Sequence, residues 1–178
     1  MRKIKTLVVA FILAHSFWSC EKDDICADGT PTTPSVVIEF YDIENPTVLK
    51  NVTNLKVIAE GMTDGIIFNP SAQNDAKYLT NGNKIKIPLR TTQDNTTYRF
   101  ILNANSTNPS EINEDTLSFN YSRTDEYVSR ACGYKTVFQL DADNPVLSAT
   151  DTNPWIGSRI IQQSNIQNEN ATHLKIYF

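Results

Sequence analysis

Apolar and polar residues alternate along most of the chain beyond residue 34. Val36, Ile38 and Phe40 share one side of an extended segment, and Leu55, Val57 and Ala59 share one side of the next. A period of two puts side chains on opposite faces of a strand, so each run predicts a half-buried β-strand. Residues 66–68 and 77–80 predict a third and a fourth. The clearest alternation is Lys84-Ile85-Lys86-Ile87-Pro88-Leu89-Arg90, with Ile85, Ile87 and Leu89 inward and the charges outward. Pro88 has no N–H to give to a ladder, which places this strand at a sheet edge. Asn81-Gly82, just ahead of it, predicts a hairpin turn.

The pattern continues through Tyr98, Phe100 and Leu102, through Leu117, Phe119 and Tyr121, and through Tyr134, Thr136, Phe138 and Leu140. Residues 159–162 predict one more strand, and Leu174, Ile176 and Phe178 share a face of the last. About eight or nine short strands with polar turns and no amphipathic helix predict an all-β fold, a single immunoglobulin-like β-sandwich over residues 35–178. A closed barrel is the alternative. Strands of about five or six residues are too short for a membrane barrel.

Two stretches break the alternation. Residues 103–115, rich in Asn and Ser, predict a polar loop. Residues 141–158 predict a longer one, of a kind that is often functional. It carries Trp155, the only tryptophan after residue 18. An indole there either plugs one end of the core or anchors a protein partner or a sugar ring.

The N-terminus has a different character. Arg2, Lys3 and Lys5 precede Leu-Val-Val-Ala-Phe-Ile-Leu at residues 7–13, an apolar run too short to span a bilayer, which needs about 20 residues. A basic start, a short apolar run and a small residue before the cleavage point predict a signal peptide over residues 1–19. Cys20 follows, and the stretch resembles a bacterial lipoprotein signal, in which that cysteine becomes the acylated first residue. Phe17 stands where such signals usually carry a small aliphatic residue. Lys22, Asp23 and Asp24 resemble the export signal that sends Bacteroidota lipoproteins to the cell surface. A solvated charged tether reads equally well from these residues. Residues 20–34, ending in Thr-Pro-Thr-Thr-Pro, form the lipidated tether.

Removal of residues 1–19 leaves 13 Lys and Arg against 20 Asp and Glu, a net charge of −7 over 159 residues. Nucleic acid needs a basic footprint and is disfavoured as a partner. Charge attraction to anionic lipid is disfavoured as well, so acyl chains on Cys20 must hold the protein to the membrane. Cys26 and Cys132 then remain, and an exported chain permits a disulfide between them. Metal ligation fails on numbers, since His173 is the only histidine left and there is no CxxC.

Taken together, the Cys-Glu-Lys-Asp-Asp-Ile-Cys start, Pro34-Ser-Val-Val-Ile-Glu-Phe-Tyr-Asp42, Ser129-Arg130-Ala131-Cys132-Gly133-Tyr134 and the closing His-Leu-Lys-Ile-Tyr-Phe resemble a family of small Bacteroidota outer-membrane lipoproteins catalogued only as a domain of unknown function. The resemblance implies a β-rich, lipid-anchored outer-membrane protein working beside β-barrel proteins in the envelope. It supplies no catalytic residues.

The remaining chemistry is thin. Asp141, Asp143 and Asn144 begin like a calcium loop, but Val146 and Thr152 stand where Gly and Glu are required. A Ser or Cys nucleophile wants a histidine base, and His173 falls on the outward side of the last strand. Asp115-Thr116-Leu117 resembles an O-glycosylation acceptor centred on Thr116. These features predict a non-enzymatic binding or accessory subunit without a cofactor, docking on an outer-membrane β-barrel protein or envelope assembly. A glycan-binding module is the rival, and a small hydrolase a distant third.

Overall fold

The computed structural model describes residues 25–150 and 152–178. These fall into two compact units, one of Pro31–Glu126 with Lys135–Phe178 and a smaller one combining residues 25–30 with Tyr127–Tyr134. Cys20, the expected acylation site, and Lys22, Asp23 and Asp24, the expected export signal, lie outside the described residues.

Among the described residues eleven strands run in chain order: β1 Val36–Tyr41, β2 Leu55–Ala59, β3 Leu79–Thr80, β4 Lys84–Ile87, β5 Asn95–Leu102, β6 Asn113–Ser129, β7 Gly133–Leu140, β8 Val146–Ser148, β9 Ser158–Ile161, β10 Asn165–Ile166 and β11 Leu174–Tyr177. Two short 3-10 turns, Asn74–Tyr78 and Pro109–Glu111, are the only helical elements among the described residues. One sheet has four strands in the order β4-β1-β11-β9. The other follows β10-β7-β6-β5-β2-β3, with β8 added beside β6. The fold is an open two-sheet β-sandwich, not a closed barrel. The first and last strands, β1 and β11, pair in parallel, Ile38 opposite Leu174 and Phe40 opposite Ile176.

The period-two residues make the core. Val36, Ile38, Phe40, Ile85, Ile87, Leu174 and Ile176 project from the four-stranded sheet. They meet Leu55, Val57, Tyr98, Phe100, Leu117, Phe119, Tyr121, Phe138 and Leu140 from the other. Aromatic rings pack edge to face, Tyr98 on Phe119 at 6.2 Å and Tyr121 on Phe138 at 5.2 Å, the arrangement their quadrupoles favour. The buried hydroxyls are satisfied. Arg90 N–H donates to Thr96 Oγ1 at 2.9 Å, the Thr96 and Tyr121 hydroxyls lie 2.6 Å apart, and the Tyr121 hydroxyl donates to the Arg90 carbonyl at 2.9 Å. This closed set pins the β4–β5 connection onto the sheet.

The edge assignment of residues 84–90 holds, with β4 ending its sheet and Pro88 just beyond it. Lys84 and Lys86 point outward into ion pairs with Glu39 at 2.9 Å and Glu169 at 2.8 Å. Other local expectations fail. Asn81-Gly82 makes no hairpin: β3 and β4 belong to different sheets, and Gly82 is absent from the positive-φ residues a tight hairpin of that type needs. Residues 66–68 are irregular, and residues 74–78 form a 3-10 turn where a strand was expected from residue 77. The stretch 103–115 is a loop only in part, because β6 begins at Asn113. The loop 141–158 contains β8, which pairs with β6 through Leu117 opposite Ser148.

In the smaller unit, Cys26 and Cys132 form a disulfide with Cα atoms 4.9 Å apart. Cys132 N–H donates to Ser129 Oγ at 3.0 Å, and Gly133 follows with φ +69°, which only glycine adopts freely. The turn therefore presents Cys132 to the N-terminal segment.

Candidate functional site

Trp155 sits at one end of the sandwich. Its ring lies 6.3 Å from Phe40 and 5.4 Å from Phe178, edge-on to the latter at 89°. Its indole N–H donates to the Phe100 carbonyl at 3.1 Å. Asp115, buried at the start of β6, accepts from the backbone N–H of Trp155 at 3.2 Å and of Ile156 at 2.9 Å. The tryptophan thus caps the core with its polar handle already paired and its ring partly buried.

Ile43, Val48 and Leu49, on the loop after β1, are each about half exposed. Backbone bonds hold this loop to the same end. Ile43 N–H donates to the Phe178 carbonyl at 3.2 Å, Asp42 N–H to the Val48 carbonyl at 3.0 Å, and Leu49 bridges to Tyr41. Lys50 donates to the Phe178 carbonyl at 2.8 Å and lies 4.6 Å over the Phe178 ring. Gly157 packs closely against this loop, where a Cβ would fall 2.4 Å from the movable Ile43 Cδ1. Three exposed aliphatic side chains on a loop held at the same end as the indole, with Lys50 over Phe178, make a surface suited to another protein. Sequence reasoning found Trp155 but missed Ile43, Val48 and Leu49. Their exposure follows from a loop conformation that no periodicity announces.

Elsewhere the polar groups are neutralised within the fold. A polar cavity of about 370 Å³ is lined by Asp94, Ser122, Arg123 and Asp125. Arg123 pairs with Asp94 at 2.6 Å and donates to the Thr91 carbonyl, and Asp125 accepts from Thr136 at 2.7 Å. His173, the one histidine among the described residues, does not line it. His173 is not the surface residue its register suggested but is buried at 1% exposure. Its Nδ1 accepts from Val37 N–H at 2.9 Å, so the neutral ring carries its proton on Nε2, which is buried without a hydrogen-bond partner. Burial lowers its pKa, against the opposing pull of Glu169 and of the Asn168 carbonyl, which favours the proton without meeting hydrogen-bond geometry. Thr116 lies within β6 opposite Arg99, half-buried. Asp141 and Asn144 serve the backbone, through Asp141 N–H to the Asn120 carbonyl and Asn120 Nδ2 to the Asn144 carbonyl. Among the described residues no three His, Cys, Asp or Glu side chains gather into a metal site.

Fold and surface define a disulfide-bearing β-sandwich with an apolar cap. Residues 54–178 match the family of unknown function DUF6452, and the chain belongs to that family. No curated protein and no solved structure matches it.

Proposed function

We propose that the protein is a lipid-anchored, surface-exposed and non-enzymatic accessory subunit of the outer membrane of a Bacteroidota-type cell, docking on a β-barrel protein or larger envelope assembly. The observation that carries this is the set of exposed aliphatic residues Ile43, Val48 and Leu49 on a loop held at the Trp155 end of the sandwich. Such side chains contribute to stability only when covered, and they lie at the same end as Trp155, a residue type enriched at interface anchors. The basic-apolar start ending at Cys20 supports the anchor, and Lys22, Asp23 and Asp24 support display at the surface. The Cys26–Cys132 bond supports export, because cytosolic thiols stay reduced.

The β4 edge offers little to a partner's sheet. Its two lysines and the following Pro88 are devices that block strand addition. The glycan alternative asks for a bare aromatic face, whereas the Trp155 ring is half-buried against Phe40 and Phe178. Acyl labelling and fractionation test the anchor: Cys20→Ala should lose the label and release the domain from the membrane. Affinity purification from detergent-solubilised membranes tests the docking. A stoichiometric barrel partner supports it, and a chain that purifies alone and binds a glycan array overturns it.

A further inference from the structure

We infer that the disulfide-closed tip made by residues 25–30 and Tyr127–Tyr134 rests in the headgroup layer of the membrane that holds the anchor. The inference rests on the lipid-anchor reading and adds a second contact with the same membrane.

Three observations meet at this tip. The first is exposure. Ile25 is 82%, Tyr127 62% and Tyr134 69% accessible, and the two tyrosine rings contact each other at 5.4 Å and 69°. Paired tyrosines beside an isoleucine suit a bilayer interface, where the ring enters the acyl boundary and the hydroxyl stays among headgroups and water.

The second is reach. Cys26 is six positions from Cys20 and is bonded to Cys132. Six residues span at most about 22 Å when fully extended. Covalent connection alone therefore keeps Cys132, and the tyrosines flanking its turn, close to an acylated Cys20. A free tether without the disulfide would impose no such limit on residues 127–134.

The third is charge. Asp28 and Arg130 are the only charged residues in the two segments, so the tip is neutral within a mature chain of net −7. Anionic headgroups repel the acidic remainder but not this patch. The occupant is a lipid surface, not a peptide.

The lipidated chain carrying Trp155→Phe and Tyr134→Trp, reconstituted in vesicles of phosphatidylethanolamine and phosphatidylglycerol with brominated phosphatidylcholine, tests this. The new indole should show a blue-shifted emission quenched by the bromines, and both effects should be lost on reduction of Cys26–Cys132. Hydroxyl-radical footprinting of the unmutated chain gives the same answer without a packing change: Tyr127 and Tyr134 should be protected in vesicles and oxidised in a soluble Cys20→Ala chain. Metabolic acyl labelling separates the two claims. An unlabelled Cys20 overturns the anchor and the tip contact together. A labelled chain whose tip is neither quenched nor protected overturns the tip contact alone. Protection without quenching means that a second copy covers the tip, and contradicts it too.

Discussion

Asp115 holds Ile156 and its neighbour to the sandwich. One carboxylate oxygen accepts from Ile156 N–H at 2.9 Å and the other from Trp155 N–H at 3.2 Å, across 41 and 40 residues of sequence. The end of the long loop is thereby fastened to the start of β6, and the indole lies against Phe40 and Phe178. Without Asp115 two backbone donors lose their acceptor, and a buried unpaired donor costs about 1–3 kcal/mol. Asp115→Ala should therefore destabilise the domain by about 2–4 kcal/mol in urea unfolding. The same variant should speed amide exchange at Trp155 and Ile156. Unchanged exchange at both positions would contradict this role.

Trp155 fills the end of the core, so its truncation acts on stability as well as on the surface. Trp155→Ala should lower stability by about 3–5 kcal/mol, the range for a large buried aromatic. Val48→Asp, by contrast, changes an exposed side chain and should leave the unfolding free energy within about 0.5 kcal/mol of wild type. Urea titrations of the two variants side by side check this, and a large loss at Val48 would mean that the exposed loop is structural.

The Cys26–Cys132 bond closes a loop of 106 positions. Loop-closure entropy sets its contribution at up to about 4–5 kcal/mol. Reduction should lower the urea midpoint, and the Cys26→Ser/Cys132→Ser variant should match the reduced protein and be indifferent to dithiothreitol. A double variant that still responds to reductant would contradict the assignment.

His173 predicts an acid-side loss of stability. Its pKa is depressed by burial below the ordinary value of 6.5, so the unfolded chain binds this proton more readily than the folded one. Its contribution is complete above about pH 6.5 and declines as pH falls below that value. Protonation also places a hydrogen on Nδ1, where Val37 N–H now donates. Glu169 adds to the loss at lower pH. Burial alone would raise its pKa, but Lys86 and the Ser35 N–H hold it below the ordinary 4.5. Stability should be flat near neutrality and fall through weakly acid pH, and His173→Gln should flatten the upper part of that fall. A wild-type curve without slope between pH 6.5 and 5 would contradict the buried neutral ring.

Much of this architecture was legible in the sequence, because alternation is a local signal. Ile85 and Ile87, or Leu117, Phe119 and Tyr121, show their facing without knowledge of their partners. Pairing is not local, and there the reading failed. Asn81-Gly82 has the composition of a hairpin but crosses between sheets, since Thr80 pairs with Leu55 while Lys84 pairs with Glu39. Residues 146–148 are too few to display a period and become β8 only because β6 offers an open side. His173 stands just before β11, and the backbone of Val37 takes its ring, so parity misjudged its burial. At the candidate site the indole stood out by rarity, and the exposed aliphatic residues did not stand out at all.

Docking through the Trp155 end is tested most directly by a tagged full-length chain purified from detergent-solubilised outer membranes, beside Val48→Asp at matched expression and matched stability. Wild type should bring down an outer-membrane β-barrel protein in near-stoichiometric amount, and Val48→Asp should lose it while remaining acylated and folded. A wild-type chain that elutes alone, or a Val48→Asp chain that retains its partner undiminished, would contradict the proposal.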